Sequence, residues 1–384
     1  MQRQKYDLII VGGGALGTFH AYHALQRGLS VLLVEKDNTP SQATVRNFGQ
    51  VVPSGQAEQW WEYGQAGLAI YREIQQKTDI TVRENGSVYL ASDEGEWQLL
   101  NELHQIYQAK GYASVLLDQA RCLAKVDRLK ASYCIGGLHF AQELTVEPRL
   151  MIQKVIGYLI QAHQLAYLPT TLVQHCEVTN GQCEVKTASG QRFHADKVII
   201  CSGGEFKVLF PELFAQSGIR LCKLQMMRTV PQPQVQLNGA ILTGLTIRRY
   251  EAFHACPSYA LVYAQNPKPT LQKWGIHLLF KQGTDGSIII GDSHEYAPVS
   301  QTESLDFGIN PTLNELMLDE AKLILDLPTW QMESYWAGYY ATYGPGVFEH
   351  QIDNKIYITT GIGGKGMTTS AGYAAAHLKT IYGQ

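Results

Sequence analysis

Charge is scarce in this 384-residue chain: Asp, Glu, Lys and Arg make up 17% of it, and the formal net charge is -3. Without a basic excess, nucleic acid is excluded as its main partner. Long apolar runs are missing as well. No stretch approaches the ~20 residues that a membrane span needs. The run after the basic start, Leu8 to Val11, is far shorter than the apolar core of a secretory signal and leads into glycines. Cysteines number seven (Cys122, Cys134, Cys176, Cys183, Cys201, Cys222 and Cys256), an odd count spread widely with no Cys-x-x-Cys pair. That pattern speaks against a disulfide framework and against a zinc site, so reduced, buried thiols in a cytoplasmic protein are expected. Repeats and low-complexity linkers are also lacking.

What the chain has is glycine, 36 residues of it, gathered in short loops between apolar runs. The first of these follows the apolar strand Tyr6 to Val11, precedes a helix over Thr18 to Arg27 closed by Gly28, and leads to a second buried strand, Ser30 to Val34. Gly12, Gly14 and Gly17 are spaced G-x-G-x-x-G, with Ala15 and Leu16 between them. In this setting Gly12 permits the tight turn, Gly14 lets backbone approach a pyrophosphate, and Gly17 lets the helix pack on the strand. The helix start offers N–H groups and positive dipole to the phosphates. Glu35, followed by Lys36, closes the second strand where a carboxylate can accept hydrogen bonds from a ribose diol. These residues predict a dinucleotide site.

A matching loop lies at the other end of the chain. The strand Ile356 to Thr360 runs into Gly361, Gly363, Gly364 and Gly366, then Met367 and Thr368, before a closing helix over Ser370 to Thr380. Such a loop can aim backbone N–H groups at the pyrimidine edge of a flavin. A glycine-rich loop at each end suits the long FAD molecule better than NAD.

With 45% hydrophobic residues and a prior of ~100–200 residues per domain, two domains are expected. Helical spacing marks residues 57–80, 94–110, 150–163 and 312–327. Strand signals lie at 81–91, at 166–168, in a hairpin over 176–187 turning at Asn180-Gly181, and at 197–201. Residues 221–291 are richer in strand-like segments. The predicted fold class is α/β: a discontinuous, Rossmann-like FAD-binding domain over 1–80, 145–220 and 330–384, with a second, sheet-based substrate domain over 81–144 and 221–329.

The chain resembles the D-amino-acid-oxidase-like superfamily of FAD enzymes, which contains glycine oxidase and the sarcosine oxidases. The likeness is carried by GGGALG…VLLVEK, ADKVIICSGGE (Ala195 to Glu205), DGSIIIGDSHEY (Asp285 to Tyr296), WAGYY (Trp336 to Tyr340) and TGIGGKGM, in that order and nearly end to end. VRNFGQVVPSGQ (Val45 to Gln56), CKLQMMRT (Cys222 to Thr229) and GDSHEY are similar to a bacterial subfamily associated with phosphonate breakdown, whose members are thought to oxidise aminophosphonates related to 2-aminoethylphosphonate. The resemblance implies that Val173 offers backbone to the adenine and that Ser202 and Gly203 lie beside the pyrophosphate. It also implies that Thr44 to Gly49, with Arg46, Asn47, Phe48 and Gly49, runs under the isoalloxazine. Sarcosine oxidases link flavin to a late cysteine, but no cysteine follows Cys256, which implies noncovalent FAD. Thr368 stands where several relatives place a carboxylate-binding lysine, a departure that points away from an ordinary amino-acid substrate.

Flavin-dependent amine oxidation asks the protein mainly for orientation and electrostatics. Lys365, inside the C-terminal glycine loop, is the candidate cation beside the flavin's pyrimidine edge, unless it is a solvated loop lysine. A phosphonate wants cations with fork geometry; the candidates are Arg46, Lys223, Arg228, Arg248 and Arg249, each of which could instead form a structural ion pair. His294 could relay protons or stand as a hydrogen-bonded structural histidine. His254, His277 and His294 are 23 and 17 residues apart, a spacing that fits no local metal motif, so no metal is expected. Trp336, Tyr339, Tyr340 and Tyr343 form an aromatic strip that either packs the core or cages an ammonium, with Tyr339 the substrate candidate. The expected activity is FAD-dependent oxidation of a C–N bond in a small aminated anion, with oxygen as acceptor. Oxidation of a small amino acid, or a flavin-binding redox sensor without turnover, are the alternatives.

Overall fold

In the computed structural model, which describes residues 5–305 and 308–383, the strands gather into two large sheets. The first is mostly parallel and runs in the order Phe348–Ile352, Ile356–Thr360, Arg192–Ile200, Lys5–Val11, Val31–Val34, Ala166–Leu168, with the hairpin Val173–Thr179/Gln182–Thr187 attached to Arg192–Ile200. Ile10 pairs with Ile199 on one side and Leu33 on the other. Both faces of this sheet are covered, which is why its strands read as unbroken apolar runs. Leu8 and Ile10 pack under the helices Ala15–Gln26, Pro148–His163 and Gly366–Tyr382, while Ile9 and Val11 face Phe206, Phe214 and the hairpin.

The helix Glu58–Lys77 lies against the closing helix at unusually short range. A Cβ on Gly67 would stand 2.5 Å from Thr368 O, and one on Gly372 would stand 2.2 Å from Tyr63 O. Tyr71 then donates its hydroxyl to Met367 O at 3.0 Å, pinning the start of the closing helix.

The second sheet has nine described strands. Its longest pair is antiparallel, Arg220–Thr229 with Met332–Thr342, in a register that sets Cys222 opposite Tyr340 and Lys223 opposite Tyr339. The segment 332–342, assigned from sequence to the cofactor domain, is a strand of this second sheet. The strand Ser87–Ala91 shows its expected alternation, but neither face is wet. Val88 and Leu90 enter one core, Tyr89 and Ala91 another. Between the strands of this sheet lie three short helices that no sequence period announces, Gly244–Ile247, Tyr259–Ala264 and Pro269–Lys273. Four to six residues are too few for a helical repeat to show.

All seven cysteines are free and buried. Among the described residues no helix is long and apolar enough to cross a membrane.

Candidate cofactor and substrate site

The edge of the first sheet, where its central strands end, opens into a cavity of about 830 Å³. Gly12 adopts φ +104°, and a Cβ there would stand 2.4 Å from Cys201 O; a Cβ on Gly17 would stand 1.9 Å from Gly12 O. The turn therefore closes on backbone alone. Thr18 donates its hydroxyl to Gly13 O at 2.8 Å, and Ala15 N donates to Thr44 Oγ1 at 2.9 Å. Buried Glu35 accepts from Gly13 N at 2.8 Å through one oxygen and from Asp37 N at 2.9 Å through the other. Its carboxylate is thus fixed at the cavity rim, while Lys36 turns outward to Asp37, 3.2 Å away. Val173, Ser202 and Gly203 line the same end.

From there the cavity passes Asn47 and Phe48 and reaches Gly361 to Thr368. Asn47 donates to Ala43 O and Thr44 O and accepts from Gly49 N, which freezes the loop. Thr368 Oγ1 accepts from Val52 N at 3.2 Å, so its hydroxyl joins two backbone segments. Lys365 lines the cavity as a paired cation: Nζ is 2.9 Å from Glu251 Oε1 and 4.9 Å from the centre of the Trp60 ring. Of the expected cofactor residues, Gly17, Arg46 and Gly49 lie off the lining. Gly17 and Gly49 are where backbone crosses backbone. Arg46 donates to Ser41 O at 2.8 Å and Ala337 O at 3.0 Å, tying its loop to the second sheet.

The wall contributed by the second sheet sorts the candidate cations. Lys223 is buried off the cavity and donates to Leu305 O and Gly308 O, 2.8 and 2.7 Å away. Arg228 pairs with Asp285 and with Glu333, also off the cavity. Arg248 reaches the lining, but Asp93 at 2.6 Å and Glu96 at 2.7 Å neutralise it. Arg249 differs. It lines the cavity, donates to Tyr296 Oη at 3.0 Å, and has no carboxylate within ion-pair distance among the described residues. Burial opposes its charge, but Tyr296, Tyr340 and Asp292 together hold its pKa above the ordinary guanidinium value.

Tyr250, Tyr296, Tyr339, Tyr340 and Tyr343 all line the cavity, whereas Trp336 instead donates to Arg46 O at 3.2 Å. Beside Arg249 stand Asp292, His277 and His294, all buried and all on the lining. The histidine spacing predicts no grouping, yet the structure sets His277 and His294 with Asp292 so that one ligating atom of each lies within 4.8 Å of the others. His254 stands apart from this group on the same lining, against Tyr259. The His277 and His294 rings are stacked with centres 5.2 Å apart. Burial first, and the Arg249 charge second, depress both their pKa values well below the imidazole norm. Asp292 is pushed the other way, up to about 7, by burial that Arg249 only partly offsets.

The sequence profile of the family described as FAD dependent oxidoreductase matches residues 7–378. This chain belongs to that family. It is 25% identical to N-methyl-L-tryptophan oxidase of Escherichia coli (strain K12) over 224 residues, 55% of this chain and 57% of that protein. The chain thus spans little more than half the length of the curated relatives it matches. In fold it is similar to glycine oxidase from Bacillus cereus (21% identity, TM-score 0.77, covering 98% of this chain and 95% of that one). It is likewise similar to the FAD-bound L-alpha-glycerophosphate oxidase from Mycoplasma pneumoniae (16% identity, TM-score 0.79, 99% and 96%).

The cofactor of this FAD-dependent family fits what the chain presents. A buried carboxylate stands at one end of the cavity, a side-chain-free glycine turn opens a helix, and a second glycine loop opens another helix at the far end. The sequence reading missed Asp292 and Tyr250 as wall residues. Asp292 sits in the quoted stretch GDSHEY, but nothing in a local pattern distinguishes a carboxylate that turns inward from one that turns to solvent.

Proposed function

We propose that this chain uses FAD to oxidise the C–N bond of a small aminated anion, an aminophosphonate related to 2-aminoethylphosphonate. The observation that carries the reading is Arg249, a cavity-wall cation whose fork no carboxylate among the described residues occupies. A planar guanidinium recognises a phosphonate or carboxylate through two parallel hydrogen bonds. In this reading Gly12 to Leu16, Ser202 and Gly203 hold the pyrophosphate, Glu35 the ribose and Val173 the adenine. Thr44 to Phe48 and Gly361 to Thr368 surround the isoalloxazine, with Lys365 at its pyrimidine edge and FAD bound without a covalent link. When bound, FAD would supply the acceptor for the two electrons lost by the carbon beside the nitrogen. The tyrosines shield that carbon from water and offer ring faces to an ammonium. The resulting imine hydrolyses in water, and oxygen as electron acceptor yields hydrogen peroxide.

The test is anaerobic bleaching of the protein's visible absorbance by 2-aminoethylphosphonate, its N-methyl and 1-hydroxy derivatives, glycine, sarcosine and D-alanine. Bleaching confined to the phosphonates is the expected outcome. Bleaching by the carboxylates alone replaces the phosphonate with a small amino acid held by the same Arg249, a second reading favoured by the likeness to N-methyl-L-tryptophan oxidase.

A further inference from the structure

Asp292 is placed by backbone. Its N–H donates to His277 O at 2.9 Å and its carbonyl accepts from His277 N at 3.1 Å, so the two residues face each other across adjacent chain segments. His294 N donates to Trp274 O at 2.9 Å, which continues the same pairing. The carboxylate is therefore held against two stacked imidazoles.

Asp292 Oδ1 nevertheless accepts no hydrogen bond. His277 Nε2 is 3.1 Å away, an ion-pair distance, but without the alignment a hydrogen bond needs. The Nδ1 of His294 is 3.8 Å away and 3.0 Å from Gly275 O. A carbonyl can only accept, so the Nδ1 proton of His294 points to Gly275 and away from the carboxylate. A buried carboxylate oxygen without a donor is costly, and Asp292 lines the cavity, where a bound molecule can supply one.

The surrounding charges define that donor. Facing Asp292 are Arg249 and Tyr250 from one segment, His277 from the next, His294 from its own, and Cys222 and Tyr340 from the paired long strands. Arg249 is the cation among them, and its field penalises a divalent metal ion twice as strongly as a singly charged group. A zwitterion whose anionic end rests on Arg249 brings a single positive charge with N–H donors. We propose that Asp292 binds the substrate's ammonium group and takes its proton, held in place by His277 and His294. An N–H bond breaks, an O–H bond forms on Asp292, and the electron pair stays on nitrogen, where loss of electrons from the neighbouring carbon requires it. This rests on the amine-oxidising reading given above and names the group within that site that activates the amine.

A carboxyl poised at about 7 suits such a base, because it is ionised enough to act and basic enough to accept. The experiment compares wild type with Asp292→Asn in two assays. In the first, binding is followed by perturbation of the visible spectrum with 2-aminoethylphosphonate and with ethylphosphonate, which lacks the amine. Wild type should prefer the amine by roughly tenfold or more, and Asp292→Asn should lose that preference. In the second, anaerobic bleaching in wild type should quicken tenfold per pH unit below about 7 and then level off. Asp292→Asn should lack this limb and be slower by roughly a hundredfold or more. An amine preference kept in Asp292→Asn, or an unchanged acid limb, overturns the proposal. Bleaching absent with every amine but a binding preference that depends on Asp292 would refute the oxidation reading and leave the ammonium site standing. Should Asp292→Asn fail to hold FAD, wild type decides: no preference for the amine, or a flat profile between about pH 5 and 8, overturns it.

Discussion

Replacing Arg249 by methionine removes a fork of donors while keeping a long side chain in the wall. Two separable effects follow. First, the anionic end of the substrate loses its charge-assisted partner. Such hydrogen bonds are worth about 1.5–3 kcal/mol each, so loss of a bidentate pair costs about 3–6 kcal/mol, a fall of roughly a hundredfold to ten-thousandfold in kcat/KM. Second, Arg249 is what holds Asp292 down against burial, so its removal lets that carboxyl titrate above about 7. The acid limb of the rate profile then moves to higher pH, because a nearby cation favours the ionised carboxylate and its loss favours the protonated one. The assay is hydrogen peroxide formation, or anaerobic bleaching, across the pH range for wild type, Arg249→Met and Arg249→Lys. Lysine keeps the charge without the fork, so it should keep the position of the limb and still bind weakly. An unchanged KM in Arg249→Met, or a limb displaced to lower pH, would refute the reasoning.

Three further outcomes are expected. Lys365→Met should leave FAD content intact and slow reoxidation by oxygen, since the cation lines the cavity with Glu251 alone among the described residues to balance it; stopped-flow mixing of the reduced protein with oxygen reads this, and an unchanged rate sinks the role. Gly17→Ala should yield protein without bound FAD, because its Cβ would stand 1.9 Å from Gly12 O and must push the turn open; a yellow, fully loaded variant would contradict it. Glu143 is buried among Ser54, Ser87 and Tyr112 and raised from 4.5 to about 7 by burial, so its contribution to stability is complete below about 4.5 and lost as pH rises through about 7. Glu143→Gln, neutral throughout, should gain about 2–3 kcal/mol relative to wild type between about pH 5 and 8 in urea unfolding, and parallel curves would exclude the effect.

The cofactor half of the molecule is legible because its signals are local. The spacing of Gly12, Gly14 and Gly17, the apolar strands around them and the carboxylate at Glu35 all fall within one continuous stretch, and so do Ile356 to Gly366. The substrate half is illegible for the opposite reason. Whether a cation is available depends on carboxylates far away in sequence: Arg248 is neutralised by Asp93 and Glu96, which lie 155 and 152 residues before it. Its neighbour Arg249 has no such partner among the described residues. The two differ because they leave the end of the short helix Gly244–Ile247 in different directions, and no pattern in the sequence records that. The aromatic strip is ambiguous in the same way, and only pairing with Arg220–Thr229 shows that Trp336, Tyr339 and Tyr340 stand on a strand of the second sheet.

This division has a physical consequence for how the site can change. In the proposed cofactor half, Gly12, Gly17 and Gly49 are locked by backbone oxygens under 2.5 Å from where a Cβ would stand, so a side chain at any of the three must push a turn open. The wall around Arg249 and Asp292 is built from side chains on segments 248–277 and 292–296, in which Glu295 and Tyr296 alone belong to a ladder strand. Side chains there can be exchanged without breaking strand pairing or the glycine turns. Arg249 and Asp292 are nonetheless coupled, since the cation sets the ionisation of the carboxylate. A new anion preference obtained by moving or removing Arg249 would therefore bring a new pH dependence with it, unless the replacement restored a positive charge at the same wall. In the proposed reading, substrate choice and working pH both depend on this one pair of residues.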